Sequence, residues 1–319
     1  MAAKKGYNFY KQQWFFLLVV IVLMSCITGA INPKFFSIRN LVNILEQISV
    51  LGLVASGATI LMISGNFDIS VGSTVGLSAC TMAMCMRQDV PVAAAVAVGI
   101  FVAVLCCVFV GANAIMWEVP SFIISLAGLI VFRGVALALT DGTIQTIYGK
   151  FEYLGSARYL NGTLPLIFIV SVAGYLVMHF ILSRTRLGRR AYSIGSNPNA
   201  AFLSGISITR NKLIFFMING ILVGIGAAML LSRVGAVQPA TGAGMEMKAL
   251  GAVVIGGAPM SGGKGSIVGT FFGVLLMGVI SNVLNMLQVN PYFQDITFGM
   301  LIIVSLAISW LSLRLQKLA

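Results

Sequence analysis

SRTRLGRRAYSIGSNPNAAFLSGISITRNK, residues 183–212, is a basic, polar island in a chain that is otherwise almost wholly apolar. Six of the 20 Lys and Arg residues fall within it: Arg184, Arg186, Arg189, Arg190, Arg210 and Lys212. On both sides the sequence returns to long apolar runs, so the island must fold outside a bilayer that its flanks cross. Its charge assigns it to the cytoplasmic side, where Lys and Arg gather in membrane proteins.

The 319 residues are 59% hydrophobic and only 9% charged, against about 45–50% and about 25% in soluble domains. This balance leaves no room for a soluble domain and reads as an all-α integral membrane protein, one polytopic unit over 1–319. A net charge of +12 would point to nucleic acid in a soluble chain. Here it follows from the siting of Lys and Arg, so lipid is the expected surrounding and no nucleic-acid partner is expected. Cys26, Cys80, Cys85, Cys106 and Cys107 all lie in apolar runs without metal-ligand spacing, so neither a disulfide frame nor a metal site is expected. Leu23-Met24-Ser25-Cys26 has the outline of a lipoprotein cleavage box. The stretch from Trp14 to Ile31 is long enough to span, however, and reads as a first helix rather than a removed signal.

Runs able to cross about 30 Å of hydrocarbon fall at 13–31, 41–64, 67–87, 91–116, 119–139, 164–182, 213–234, 246–262, 266–287 and 293–313. That predicts about ten transmembrane helices, some broken or re-entrant where glycine and polar residues interrupt them. With both termini inside, the cytoplasmic segments hold Lys4, Lys5, Lys11, the six of the island, Lys264, Arg314 and Lys317; the outside holds Lys34, Arg39, Arg87, Lys150 and Arg158. The main outside segment is 140–163, glycine-bearing and aromatic. It reads as a short interfacial helix, a docking surface or a solvated connector.

Several polar interruptions can carry function. In GNFDISVGS, residues 65–73, Asp68 needs either a capping task at the third span or a polar path that it lines with Asn66, Phe67 and Ser70. Glu118-Val119-Pro120-Ser121 opens the fifth span, with Glu118 against the positive helix end. Phe122 in that span is a further path-lining position, as is Arg133, which lies mid-span and must find a partner; Asp68, Glu118 and Asp141 are its acidic options. The run GAVVIGGAPMSGGKG, 251–265, fails as a phosphate loop because Ala258 stands where glycine is required and Gly265 follows Lys264. It reads as a broken helix, with breaks at Gly256, Gly257, Gly262 and Gly263 matching those at Gly65 and Gly72. The sole histidine, His179, and eight scattered acids offer no catalytic constellation. Within the island, Asn199-Ala200-Ala201-Phe202-Leu203 reads as a short helix, capped by Asn197 or Asn199 and stopped by Gly205, that exposes Phe202 and Leu203. Such a peg either enters a hydrophobic groove on a partner or re-docks at the headgroups.

Taken in order, GNFDISVGS (65–73), PSFIISLAGLIVFRGVA (120–136), TRLGRRAYSIGSNPNAAFLSGI (185–206) and ALGAVVIGGAPMSGGKGSIVGT (249–270) resemble the permease subunits of bacterial ATP-binding-cassette importers for simple sugars. The resemblance covers nearly the whole chain. It implies a multi-pass inner-membrane permease that pairs with an identical chain or a close relative, with a sugar path between them. Two ATPase subunits, or one tandem ATPase chain, would carry the ATP and Mg, while this chain binds no cofactor and is no enzyme. An extracytoplasmic binding protein would deliver a pentose or hexose. Asn199, Ala200, Ala201 and Gly205 match the family's E-A-A-x-x-x-G coupling pattern, with Asn in place of the acid, and Phe202, Leu203, Arg189 and Arg190 would join the ATPase contact. Branched-chain amino-acid permeases are more distant, lacking GNFDISVGS. An ion-coupled secondary transporter, with Asp68 as its ion site, is the reading from another class. Autoinducer furanosides, nucleosides and polyols are alternative cargoes of the same importer type.

Overall fold

Helix α2 (Ile38–Ile63) carries Arg39, Asn40, Asn43, Glu46 and Gln47 in its first ten residues, has only apolar and small side chains beyond them, and is buried over most of its length beyond Val42. A segment apolar on every side belongs inside a bundle, and α7 (Leu166–Arg184), α10 (Ile208–Val234), α11 (Met245–Ile255) and α12 (Ile267–Met286) all pack on α2. Outside this centre, α4 (Val92–Met116) lies along α10, α3 (Val71–Arg87) contacts α10 and α4, and α5 (Ser121–Thr140) lies against α3 and α4, while α1 (Gln13–Ile31) flanks α12. The computed structural model describes residues 13–290, 292–301, 303, 304 and 307. The expectations for Lys4, Lys5, Lys11, Arg314 and Lys317, and for the later part of span 293–313, lie outside the described residues.

Among the described residues, seven helices are long and apolar enough to cross a membrane: α1, α2, α4, α5, α7, α10 and α12. Two of the ten expected spans take a different form. Helix α3 has 17 residues, and the loop before it, 64–70, is non-helical. The span expected at 246–262 is corrected: its helix, α11, ends at Ile255 after 11 residues, a rise of only about 17 Å. Gly256 to Gly265 turn away beyond it, and the chain approaches α11 from α10 through non-helical backbone at 238–244. Such backbone is tolerated at membrane depth only when protein covers it. Here it is covered closely, since a Cβ on Gly76 of α3 would lie 2.6 Å from the Thr241 carbonyl oxygen. Residues 292–301 are helical.

Helices α2 and α12 run antiparallel. At one end Asn40 and Asn282 exchange amide bonds, Nδ2 to Oδ1, at 2.9 and 2.8 Å; nearer the other, Thr59 and Thr270 hydroxyls are 2.7 Å apart. The two helix breaks and the 183–212 segment share the second end, called here the basic end. The 140–163 segment lies at the far end and is ordered by local structure: β1 (Gln145–Thr146) pairs with β4 (Ala236–Val237), β2 (Arg158–Tyr159) pairs with β3 (Leu164–Pro165), and α6 (Tyr153–Ser156) sits on α10. Lys150 Nζ reaches Asp89 Oδ1 at 2.6 Å and the Met86 carbonyl at 2.9 Å, and its hydrogen bond, helped by its charge, holds the Asp89 carboxyl below its ordinary pKa.

Replacing Asn282 by Leu leaves the Asn40 amide short of its partner inside the bundle. The expected loss is about 1–3 kcal/mol, read as a lower melting temperature in detergent. The Asn40→Leu/Asn282→Leu pair should recover part of it, because two apolar groups leave no unpaired amide.

Candidate coupling and translocation site

The basic island folds into two helices. Thr185 caps α8 (Arg186–Ser196) by accepting the Gly188 N–H, and Gly188, Ala191 and Ile194 turn inward while Arg189 faces out. Arg190 is half-buried and reaches Asn211 Oδ1 at 3.5 Å. Of the two expected caps for the next helix, Asn197 serves, its Oδ1 accepting the Ala200 N–H at 3.0 Å, and Pro198 fills the first turn of α9 (Pro198–Leu203). Gly205 stops α9 at φ 78°, with Gly205 N–H bonded to Phe202 O and Ile206 N–H to Ala201 O, a pairing that needs the left-handed conformation glycine tolerates. Ala201 is buried, whereas Phe202 is 67% and Leu203 85% exposed. Both project apolar surface outside the bundle, and Phe202 borders an open cleft shared with the turn between α4 and α5. Glu118 lies in that turn at φ 53°, three residues before α5. Pro120 precedes the helix with extended backbone and pushes its start to Ser121.

Directly above α9, three backbones meet. A Cβ on Gly195 of α8 would collide with the Ile63 carbonyl at the end of α2 and lie 2.6 Å from Gly263 N. A Cβ on Gly262 would lie 3.0 Å from Gly65 Cα, and one on Gly263 2.6 Å from Ser196 Oγ. Gly263 N–H donates to Ile63 O at 2.8 Å, and Tyr192 Oη donates to Gly265 O at 2.8 Å. Both breaks and the island therefore form one joint built mainly on backbone contacts, with the Ser196 and Tyr192 side chains at its edge. Gly65 and Gly257 terminate their helices, at φ 75° and 98°. Gly256 caps α11 and so opens the second break, whereas the expected break point at Gly72 is corrected: it sits in the first turn of α3, where it leaves room for Glu246 and Gly242.

The loop between α2 and α3 carries a buried polar cluster. Asp68 Oδ1 accepts from Ser70 N at 2.9 Å and Ser70 Oγ at 2.5 Å, and Oδ2 accepts from Asn219 Nδ2 at 3.2 Å. Asn219 lies eleven residues into α10, about 16 Å along it, so this carboxylate sits deep in the bundle. Asp68 holds the turn that enters α3, but the helix's own cap position is Ser70 and no side chain accepts from the first N–H groups of α3, so the expected capping of that span by Asp68 is corrected. Asn66 is buried and bonds to Ser64, and the Phe67 N–H donates to Ser121 Oγ at 2.8 Å. Phe122 is exposed on α5. Arg133 pairs with none of the three expected acids; its Nη1 donates to the Pro239 carbonyl at 2.8 Å, an oxygen freed where the backbone between α10 and α11 is not helical. Sequence reasoning missed Gly195, Tyr192 and Asn219, and also Glu46, buried on α2 between Arg158 (2.9 Å) and Arg233 (3.4 Å). A lone carboxylate and a lone amide inside apolar runs were the available signals for the last two. Among the described residues no group of three or more His, Cys, Asp or Glu is placed to hold a metal ion.

A multi-span bundle with two facing helix breaks and an apolar peg beneath them is a permease architecture. The family model described as branched-chain amino acid transport system / permease component matches residues 40–306, and the chain belongs to this family. It is similar to the ribose import permease protein RbsC of Bacillus subtilis, at 35% identity over 91% of this chain and 88% of the relative. It is also similar to the D-allose transport system permease protein AlsC of Escherichia coli, at 34% over 96% and 94%, and to the fructose import permease protein FrcC of Rhizobium meliloti, at 31% over 91% and 83%. No solved structure matches. These relatives are transport permeases, not enzymes, and the chain is a multi-pass inner-membrane protein of their kind.

Gly195 and Gly134 make a matched test of the joint. A Cβ at Gly134, on the outer face of α5, meets nothing within 4 Å, so Gly134→Ala should be neutral or stabilising by up to about 1 kcal/mol. Gly195→Ala should destabilise by about 1–3 kcal/mol. Thermal unfolding of the two variants in one detergent reads the difference.

Proposed function

We propose that this chain forms the membrane path of an ATP-driven importer for a monosaccharide, a pentose or hexose handed over by an extracytoplasmic binding protein. The basic end faces the cytoplasm, as its arginines favour, and the far end receives the sugar. Two ATPase subunits, or a tandem ATPase chain, dock on α9 and carry the ATP and Mg. A second permease chain, identical or closely related, completes the membrane unit.

The observation that carries this reading is the peg. Phe202 and Leu203 protrude from a six-residue helix with a defined cap and stop, and that helix is continuous through Asn197 with α8, whose Gly195 touches both breaks. Force applied to α9 is delivered within a few residues to the ends of α2 and α11, without crossing a flexible linker. Closure of the ATPase pair would draw the pegs together and move the two breaks relative to the helices that they interrupt. A sugar needs such a protein-lined route, since each of its hydroxyls unpaired in lipid costs several kcal/mol, about 4–8 by transfer to hydrocarbon.

Ion coupling finds less support. Asp68 is surrounded by donors, Ser70 N, Ser70 Oγ and Asn219 Nδ2, whereas a Na⁺ site in a transporter presents oxygens from unwound backbone and acids.

Vesicles holding the complete complex should accumulate radiolabelled D-ribose, D-allose or D-fructose only with ATP and in the presence of an ionophore. Accumulation that the ionophore abolishes and ATP depletion spares would overturn the proposal. Phe202→Asp should abolish ATP-driven uptake while the chain still inserts, because a carboxylate replaces the apolar contact; co-purification of the ATPase checks the cause.

A further inference from the structure

Two clefts open towards the far end of the bundle, on either side of a single side chain. The outer one, about 370 Å³, is bounded by Glu46, Arg158 and the turn at 232–235. The inner one, about 320 Å³, runs between α10 and α12 over α2. Arg233 lines both. Its Nε lies 3.4 Å from Glu46 Oε2, and Glu46 Oε1 is held in turn by Arg158 Nη2 at 2.9 Å. The guanidinium, which borders both spaces, is thereby held in place. The inner cleft reaches Gln47, nine residues or about 14 Å along α2, and ends on Gly242, where the non-helical backbone packs against Gly72.

The chemistry of the inner cleft selects a class of solute. Gln47 and Ser281 have no side-chain hydrogen-bond partner among the described residues, and Lys248 lies 4.7 Å from the Phe298 ring centroid without an ion pair among them. An amide, a hydroxyl and two cationic donors can match the hydroxyls of a polyol, each of which needs a partner on leaving water. Leu51 and Met277 supply apolar wall for the C–H face of a ring. No carboxylate lines the cleft, so an organic cation finds no counter-charge there. The volume falls at the small end of the range for ligand pockets, about 300–1,000 Å³.

We infer that the inner cleft is a sugar-holding station within each chain, and that Arg233, latched to Glu46, separates it from the outer cleft. The inference rests on the monosaccharide reading above. It adds a stopping place that belongs to one chain, ahead of any path shared between two.

Ser281→Cys tests it, in a complete ATPase and binding-protein complex whose Cys26 and Cys85 are replaced by Ser. A membrane-impermeant methanethiosulfonate is added on the far side, with D-ribose, D-allose and D-fructose as probes. With the imported sugar at about ten times half-saturation, modification should slow about tenfold, because most clefts are then filled. Without sugar, Arg233→Ala should speed modification by removing the wall. Gln47→Leu should lower ATP-driven uptake about fivefold, the worth of roughly one hydrogen bond, and Gln47→Asn should restore part of it. Where Gln47→Leu fails to assemble, the protection of Ser281→Cys decides. A complex that imports sugar normally yet shows no protection of Ser281→Cys overturns the station and leaves the importer standing. Import of none of the three sugars by the unaltered complex overturns the monosaccharide reading, and the station with it.

Discussion

Backbone polar groups cannot be left unpaired at membrane depth, and this chain interrupts two of its crossings. That conflict organises the molecule. The end of α2 leaves the Ile63 carbonyl free, the glycine turn after α11 leaves the Gly263 N–H free, and the two satisfy each other at 2.8 Å. The oxygen of Pro239, released before α11, is taken by Arg133, and Thr241 is covered by Gly76. Breaks that would be untenable singly are tolerated because each supplies what another lacks. Their proximity is then a requirement of stability as well as a convenience for movement.

The same requirement explains why the joint is made of glycine. A hydrogen bond between two chain reversals brings their backbones together, and α8 must close over both. Side chains at Gly195, Gly262 or Gly263 would hold the three apart. The apolar peg at Phe202 and Leu203 is consequently mounted on the least compressible contact available, backbone on backbone. A buried carboxylate, Asp68, fixes the loop one layer deeper, tying it to α10 through Asn219. The far end is secured by charge instead, through Glu46 with its two arginines and Asp89 with Lys150.

Features encoded locally were legible in the sequence. The cap at Asn197, the stop at Gly205 and the exposure of Phe202 and Leu203 follow from residues within ten positions of one another. The glycine breaks at 65 and 257–263 were visible for the same reason. Features that join distant segments were not. Arg133 turned to a carbonyl that exists only because the backbone after α10 unwinds, and no acid-counting argument finds a carbonyl. Nothing in the residues beside Tyr192 and Gly195 marks them, because their contacts are with α2 and the 256–265 turn, which lie far away in the chain. Span 246–262 had apolar length enough to cross, but the glycines in its second half favour turns over helix, and α11 stops where they begin.

The reciprocal amide pair of Asn40 and Asn282 ties α2 to α12 at the end remote from the joint. From Asn40 to Ile63 the helix rises about 35 Å. If that clasp acts as a fulcrum, a sideways shift of about 2 Å at the glycine joint tilts α2 by only about 3° over that length. An angle so small leaves interdigitated side chains in their rotamers. On the importer reading proposed above, the chain would switch access by pivoting rigid rods, with the largest excursions at the end that carries α9.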